Sequence, residues 1–421
     1  VSVLYWATAM GMMLPKPVLT SLNERCGNGI FRVGSACVNG YRENMEDAHI
    51  AYMKPSWGFF GVFDGHVNDH CSMYLEQEWA RVMDEIKLPI TDEKLKEISL
   101  EVDKKYLDNN PQGGSTGTFF IAEHQSAENV VTLQVGNVGD SRVLVCRNGV
   151  CEAMTEDHKP TNPGERRRIL SCGGTVENAR VNGSLALSRA FGDADYKRFD
   201  GDQLNQQVIA LPDVTRVSLE LNKGNYAVLA CDGVFEGDFS NEEVIDFVNE
   251  QLKTESDIAV ISYRVCEEAI RRGSKDNISC MIVQFAPGND YATRERYEFV
   301  PGPLSATTHT GFMKAYWAMA AKGNVSPARC LEMRYDFLSN MSEHDEEMQS
   351  ELALFGEGPP PSVSGAERTQ WFENIVAQLR GQPSSPGDSR NSLVSQLQQR
   401  GISINAFLDA MRAADADLDD N

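Results

Sequence analysis

Basic residues are scarce in this sequence: 39 Lys and Arg stand against 61 Asp and Glu, a formal charge of −22. A surface of that sign repels a phosphate backbone, so nucleic acid is not an expected partner, and anionic membranes are disfavoured for the same reason. Long apolar runs are missing too. No stretch approaches the ~18–20 residues that a membrane-spanning helix needs, so no transmembrane segment is expected. The ten cysteines, at 26, 37, 71, 146, 151, 172, 231, 266, 280 and 330, include no CxxC pair, and most lie inside apolar runs. They read as reduced, buried thiols, and the expected location is cytoplasmic, with the nucleus also open. There are no internal repeats, which excludes a repeat architecture.

What is present suffices for one large domain and an appendage: 421 residues, 41% of them hydrophobic, bury a full core. The opening VSVLYWATAMGMML contains a small-residue Ala7-Thr8-Ala9 step but lacks the basic flank of a secretory signal. Met10 reads as the natural start. Gly11 would then be the second residue, where myristoylation would give a membrane tether, although the usual Ser or Thr farther on is missing.

From Ile30 onward, β-branched and aromatic runs recur at 31–39, 48–53, 58–63, 117–123, 130–137, 142–146, 215–220, 226–231 and 278–285. Helical spacing occupies 67–87, 91–107, 163–171, 241–252 and 256–272. Strands arrive in groups joined by turns such as Asn148-Gly149 and Asn182-Gly183, so packed antiparallel sheets with helices outside are expected, not a doubly wound parallel sheet. Helical residues dominate from about 291 to 341. An acidic run, Pro359-Pro360-Pro361, a helix opened by Ser364 and Glu367, and a Ser/Pro/Gly linker follow. The expected division is an N-terminal segment (1–22), a catalytic domain (23–290), a helical extension (291–358) and an interrupted helical, acidic tail (359–421).

Four acidic stretches abut strand-like runs: Arg42-Glu43-Asn44-Met45-Glu46-Asp47, Asp64-Gly65-His66, Asp232-Gly233 and Asp276-Asn277. A lone Asp-Gly is ordinarily a turn. Four carboxylates at strand ends repel one another unless a cation neutralises them, and hard divalent ions take oxygen ligands. Arg42 beside them suits a phosphate clamp, since a guanidinium grips two oxygens at once. Cys-x5-Arg occurs at Cys26 to Arg32 and Cys266 to Arg272. The first precedes a strand, where no helix N-terminus meets the anion, and the second sits beside two glutamates, so a cysteine phosphatase is not expected.

In order along the chain stand GYRENMEDAH (40–49), FFGVFDGH (59–66), GGSTGTFF (113–120), NVGDSRV (137–143), EDHKP (156–160), RVNGSLALSRAFGD (180–193), LACDGVFE (229–236) and SKDNISCMIV (274–283). With these motifs the chain resembles the type 2C family of metal-dependent protein serine/threonine phosphatases, from residue 10 to about 290. The resemblance implies an α+β fold, a central antiparallel β-sandwich flanked by α-helices in α-β-β-α layers, with a helical C-terminal extension outside the match. It also implies two Mg2+ or Mn2+ ions, one held by Asp64, Asp232 and Asp276, the other by Glu46, Asp64 and the carbonyl of Gly65. Asp47 and Asn277 would stand close by and order metal-bound waters. Arg42 would bind the phosphate of a phosphorylated protein substrate, and His66 would protonate the departing oxygen. A third, weaker ion is implied at Asp140, Asp232 and Glu236, the last standing where relatives carry aspartate. The alternative is a non-catalytic scaffold on the same fold, acting through its C-terminal helices. Such a scaffold is expected to lose metal carboxylates or the arginine, and all are present.

Overall fold

The computed structural model describes residues 13–108, 112–198 and 202–381. Met10 and Gly11, with the start and tether expected there, lie outside the described residues, as does the tail beyond 381. Among the described residues no helix is long and apolar enough to cross a membrane.

Twelve strands build two antiparallel sheets: β1 (Val18–Gly27), β2 (Arg32–Gly40), β3 (Ala48–Met53), β4 (Trp57–Phe63), β5 (Gly117–Gln125), β6 (Val130–Val138), β7 (Arg142–Arg147), β8 (Val150–Ala153), β9 (Asp213–Glu220), β10 (Tyr226–Ala230), β11 (Ile278–Gln284) and β12 (Tyr297–Val300). The first sheet runs β8-β7-β10-β11-β2-β1-β12 and the second β9-β6-β5-β4-β3. They face each other because each central strand is apolar on both sides. Along β4, Phe60 and Val62 pack between the sheets while Phe59 and Phe63 face helices. Along β10, Ala227 and Leu229 point inward while Tyr226, Val228 and Ala230 point outward. The two-residue period of a strand turns one continuous apolar run into two buried faces.

Helices cover both outer faces. On the second sheet, α1 (His70–Glu85) sets Cys71, Leu75, Trp79 and Met83 at four-residue spacing, and Trp79 stacks on Phe59 with ring centroids 5.0 Å apart. Beside it lies α2 (Asp92–Leu107), capped by Thr91. A short α3 (Pro163–Ser171) belongs to a lobe at 160–210. On the first sheet lie α4 (Asn241–Gln251), opened by a Ser240/Glu243 capping box, and α5 (Ile258–Arg271). The result is the expected α-β-β-α arrangement.

The expected domain boundaries both fall inside the first sheet. The 22/23 boundary divides β1, and the 290/291 boundary precedes β12, which pairs with β1 from Ser21↔Val300 to Glu24↔Tyr297. Polar composition hides β1: Thr20, Ser21, Asn23, Glu24 and Arg25 are all buried. Arg25 pairs with Asp257 at 2.7 Å, and Glu24 meets Arg296 and His49 at 2.6 and 3.0 Å. Buried charges persist when paired. The helical stretch after 309 is two helices, α6 (Thr310–Lys322) and α7 (Pro327–Ser339), because Gly323 and a positive-φ Asn324 stop the first and Ser326 caps the second. The acidic run contributes α8 (Glu346–Ala353), whose Glu351 forms a buried two-pronged ion pair with Arg334, both contacts at 2.7 Å. The last described element is α9 (Gly365–Gly381). The side chains of Phe312, Tyr316, Leu331, Phe355 and Phe372 form one core with Leu14, Val18, Cys37 and Met45.

Candidate active site

All four acidic stretches meet at one end of the sandwich. Asp64 directly follows β4, and Glu46 and Asp47 precede β3, whose Ala48 is paired with Phe63. Asp232 follows β10 and Asp276 precedes β11, where Ala230 is paired with Cys280. Ile278 is paired with Val38 of β2. Asp64 is fixed by its backbone, since its N–H donates to Thr116 Oγ1 (3.1 Å) and its carbonyl accepts from the Thr116 N–H (2.9 Å).

Loops this close need residues without side chains. A Cβ on Gly65 would stand 2.4 Å from the Glu46 carbonyl oxygen, and one on Gly233 would stand 2.1 Å from that of Asn277. Asn277 ties the loops together: its Oδ1 accepts the Glu46 N–H, and its Nδ2 donates to the carbonyls of Asn39 and Asn44, each at 2.9 Å.

The side chains form two groups. Carboxylate oxygens of Asp232, Glu236 and Asp276 lie within 4.8 Å of one another, as do atoms of Asp47, Asp64 and Cys231. Burial, then the neighbouring carboxylates, pushes Asp64 and Asp232 well above the usual carboxylate range. Burial raises Glu46, and it raises Asp47 to about 6 although Ser279 donates to it at 2.6 Å. The other Asp47 oxygen, Oδ1, is buried with no protein partner. Repelling carboxylates with an orphaned oxygen among them fit hard divalent cations. Cys231 does not compete as a ligand: its Sγ accepts the Ser279 N–H at 3.1 Å, and burial holds its thiol protonated.

Around these groups, Arg42 reaches Asp276 with Nη2 at 2.6 Å from Oδ2, its guanidinium half exposed. Asp140 joins neither group and is ion-paired to Lys159. Of the expected third-ion residues, Glu236 stands with Asp232 and Asp276, and Asp140, matched by an ammonium, is still close enough to oppose the charges of both Asp232 and Glu236. His66 lies on a short strand (Gly65–His66) paired with Gly114–Ser115, which also pairs with Phe191–Gly192. That small sheet brings in Asp193, whose two carboxylate oxygens accept from His66 Nε2 at 2.9 and 2.8 Å. Burial alone would lower the imidazole's pKa, but Asp193 and then Glu46 outweigh it and the net shift is upward. Asp193 is held in turn: its left-handed backbone (φ 54°) donates N–H to the Gly113 carbonyl, and a buried Lys197–Asp103 pair (2.7 Å) anchors the loop to α2.

Asp193, Lys159 and Ser279 escape a reading by residue type, although each lies inside a quoted motif. Asp193 and Ser279 lie 127 and 232 residues from His66 and Asp47, and Lys159, only 19 from Asp140, stands at no spacing that announces the pair. The Cys-x5-Arg pairs fail as nucleophile sites. Cys26 is buried on β1 with its thiol pushed up to about 12, and Cys266 is buried on α5 with its thiol pushed up by burial. Of the arginines near residue 170, Arg168 and Arg189 are consumed by Glu165, each within 2.8 Å.

An acidic, metal-fitting end on a four-layer α-β-β-α sandwich defines a class of phosphomonoesterase, and comparison with known proteins gives the family. A family model described as "Protein phosphatase 2C" matches residues 31–278. "Protein phosphatase 1B" of Rattus norvegicus is 36% identical over 307 residues, covering 66% of this chain and 76% of that one. "Protein phosphatase 2C homolog 2" of Schizosaccharomyces pombe is 30% identical over 357 residues, covering 79% and 93%. Among solved structures, a phosphatase from Toxoplasma gondii has a TM-score of 0.59 at 26% identity, over 66% of this chain and 98% of its own. The chain belongs to the protein phosphatase 2C family and is a metal-dependent protein serine/threonine phosphatase.

Proposed function

We propose that the protein hydrolyses phosphoserine and phosphothreonine monoesters on protein substrates with two divalent ions, Mg2+ or Mn2+. Asp64, Asp232 and Asp276 would hold one ion, and Glu46, Asp64 and the Gly65 carbonyl the other. The observation that carries this reading is the crowding of Asp64, Asp232 and Asp276, each opposing the others' charge, with Glu46 beside Asp276 and the orphaned Asp47 oxygen among them. When bound, such ions supply a water nucleophile acidified towards neutrality and neutralise the substrate's charge. Arg42, half exposed and paired to Asp276, is the guanidinium that would grip two phosphate oxygens, with the Asp276 carboxylate then free to hold an ion. Asp47 and Ser279 fix the wall behind the reacting centre. His66, whose charged form Asp193 favours, gives a proton to the departing serine or threonine oxygen, an alkoxide too basic to leave unaided. A third ion at Asp140, Asp232 and Glu236 would have to displace the Lys159 ammonium from Asp140, which would weaken it. The deciding experiment is a metal-titrated assay on phosphopeptides. Turnover should appear with Mn2+ or Mg2+, vanish with chelator and survive cysteine alkylation. Turnover that persists in chelator and dies on alkylation would overturn the reading.

A further inference from the structure

The metal-binding loop lies alongside a helix of the C-terminal extension. At the start of α6, a Cβ on Gly311 would stand 3.4 Å from Glu43 Oε1. The Met45 side chain is buried in the apolar core that α6 forms through Phe312, Tyr316 and Met319. At the end of α6, the Lys322 ammonium lies 3.4 Å from the Met45 carbonyl and 3.3 Å from that of Asp47. A 13-residue helix is about 20 Å long at 1.5 Å per residue, long enough to run beside the whole of residues 43–47.

The two carbonyls that Lys322 reaches flank Glu46. The remaining groups of that residue are held from elsewhere: its N–H by Asn277 Oδ1 at 2.9 Å and its carbonyl by Ser72 Oγ at 2.5 Å. Among the described residues no carboxylate lies within ion-pair distance of Lys322, so its ammonium is directed at the loop's backbone. Lys322 and Asp47 line, with Glu24, His49, Glu76 and Arg296, a cavity of about 430 Å³ beside the contact.

We propose that α6 is a splint for the metal-binding loop and that Lys322 is a positioning residue, its ammonium fixing the Met45 and Asp47 carbonyls so that the Glu46 carboxylate is preorganised for its ion. The extension then belongs to the catalytic apparatus without touching substrate. Supports one step behind a metal ligand typically change metal affinity by about 10- to 100-fold when removed. A purely electrostatic role has the opposite sign, because deleting a nearby cation favours a bound metal.

The test uses the full chain with Lys322→Met, which keeps the stem and loses the donors, and Lys322→Arg, which keeps charge and donors. Mn2+ binding is followed by calorimetry, and amide exchange at residues 43–48 is followed in chelator. The splint requires Lys322→Met to weaken Mn2+ binding about tenfold and to speed exchange in the loop, with Lys322→Arg close to wild type. Unchanged binding and exchange, or tighter Mn2+ binding by Lys322→Met, would overturn it. The inference rests on the metal-ion reading above, and the two fail separately: a wild-type chain that binds no Mn2+ sinks that reading, whereas the exchange experiment needs no metal.

Discussion

Both oxygens of Asp193 face one nitrogen of His66, at 2.9 and 2.8 Å from Nε2. Among the described residues no hydrogen bond engages Nδ1, so in the general-acid role proposed for His66 the proton would pass from Nδ1. The carboxylate fixes both the ring's orientation and its tautomer, as second partners of catalytic histidines do.

Asp193→Asn should therefore act through the leaving group. Hydrolysis of phosphoserine peptides should fall about 10²-fold, within the range of general acid catalysis. Hydrolysis of p-nitrophenyl phosphate, whose leaving group needs little protonation, should fall far less. His66→Ala should show the same selectivity. Equal losses on the two substrates would assign Asp193 a structural role instead.

Asp64 is destabilising when no cation is bound, since burial and four neighbouring aspartates oppose its charge. Asp64→Asn should raise the melting temperature in chelator while abolishing turnover and the stabilisation that Mn2+ gives the wild type. A lower melting temperature in chelator would mean that the carboxylate is held by attractions within the protein.

The pH dependence of the metal-free fold follows the same logic. The Asp47 carboxyl sits at about 6 in the folded chain, against about 3.9 in an unfolded one. Between those values the folded state keeps a proton that the unfolded state has released, so stability falls as pH rises. His66, raised on folding, acts in the same direction across its own range. Urea midpoints measured in chelator should be lower at pH 7 than at pH 5, and Mn2+ should close the gap at pH 7. A midpoint in chelator that rises from pH 5 to pH 7 would contradict this.

The Arg334–Glu351 pair is almost fully buried, and Glu351 also accepts the Leu304 N–H at 2.9 Å. Removing one member of such a pair costs about 3–5 kcal/mol. Arg334→Met should accordingly loosen α7 and α8, visible as faster proteolysis after residue 300, and Arg334→Met with Glu351→Leu should recover part of the loss. If the double variant is no better than the single one, the pair is not what holds these helices.

Much of the architecture is legible in the residues because strands such as GFFGVF are short, continuous apolar runs that end on acids. The carboxylates and Arg42 could be picked out for the same reason: their chemistry is written in their side chains. What stays hidden depends on partners. β1 looks like a polar lead-in because its charges are matched only after folding, by Asp257, His49 and Arg296. Asp193 looks like a turn residue until a three-stranded sheet delivers it to His66. Lys322 is the extreme case, since its partners are backbone carbonyls and any residue types would supply them.

The pairing of β2 with β11 also sets a timetable for synthesis. Glu46 meets Asn277, a residue 231 positions later, and β1 is completed only by β12. At about 5–20 residues per second, a ribosome needs roughly 10 to 50 s to cover that interval. For all of that time β1 and β2, paired with each other, each carry one open edge, and half of an acidic centre has no opposite half. The first sheet therefore closes only once the chain has been made to about residue 300, where β12 completes its edge.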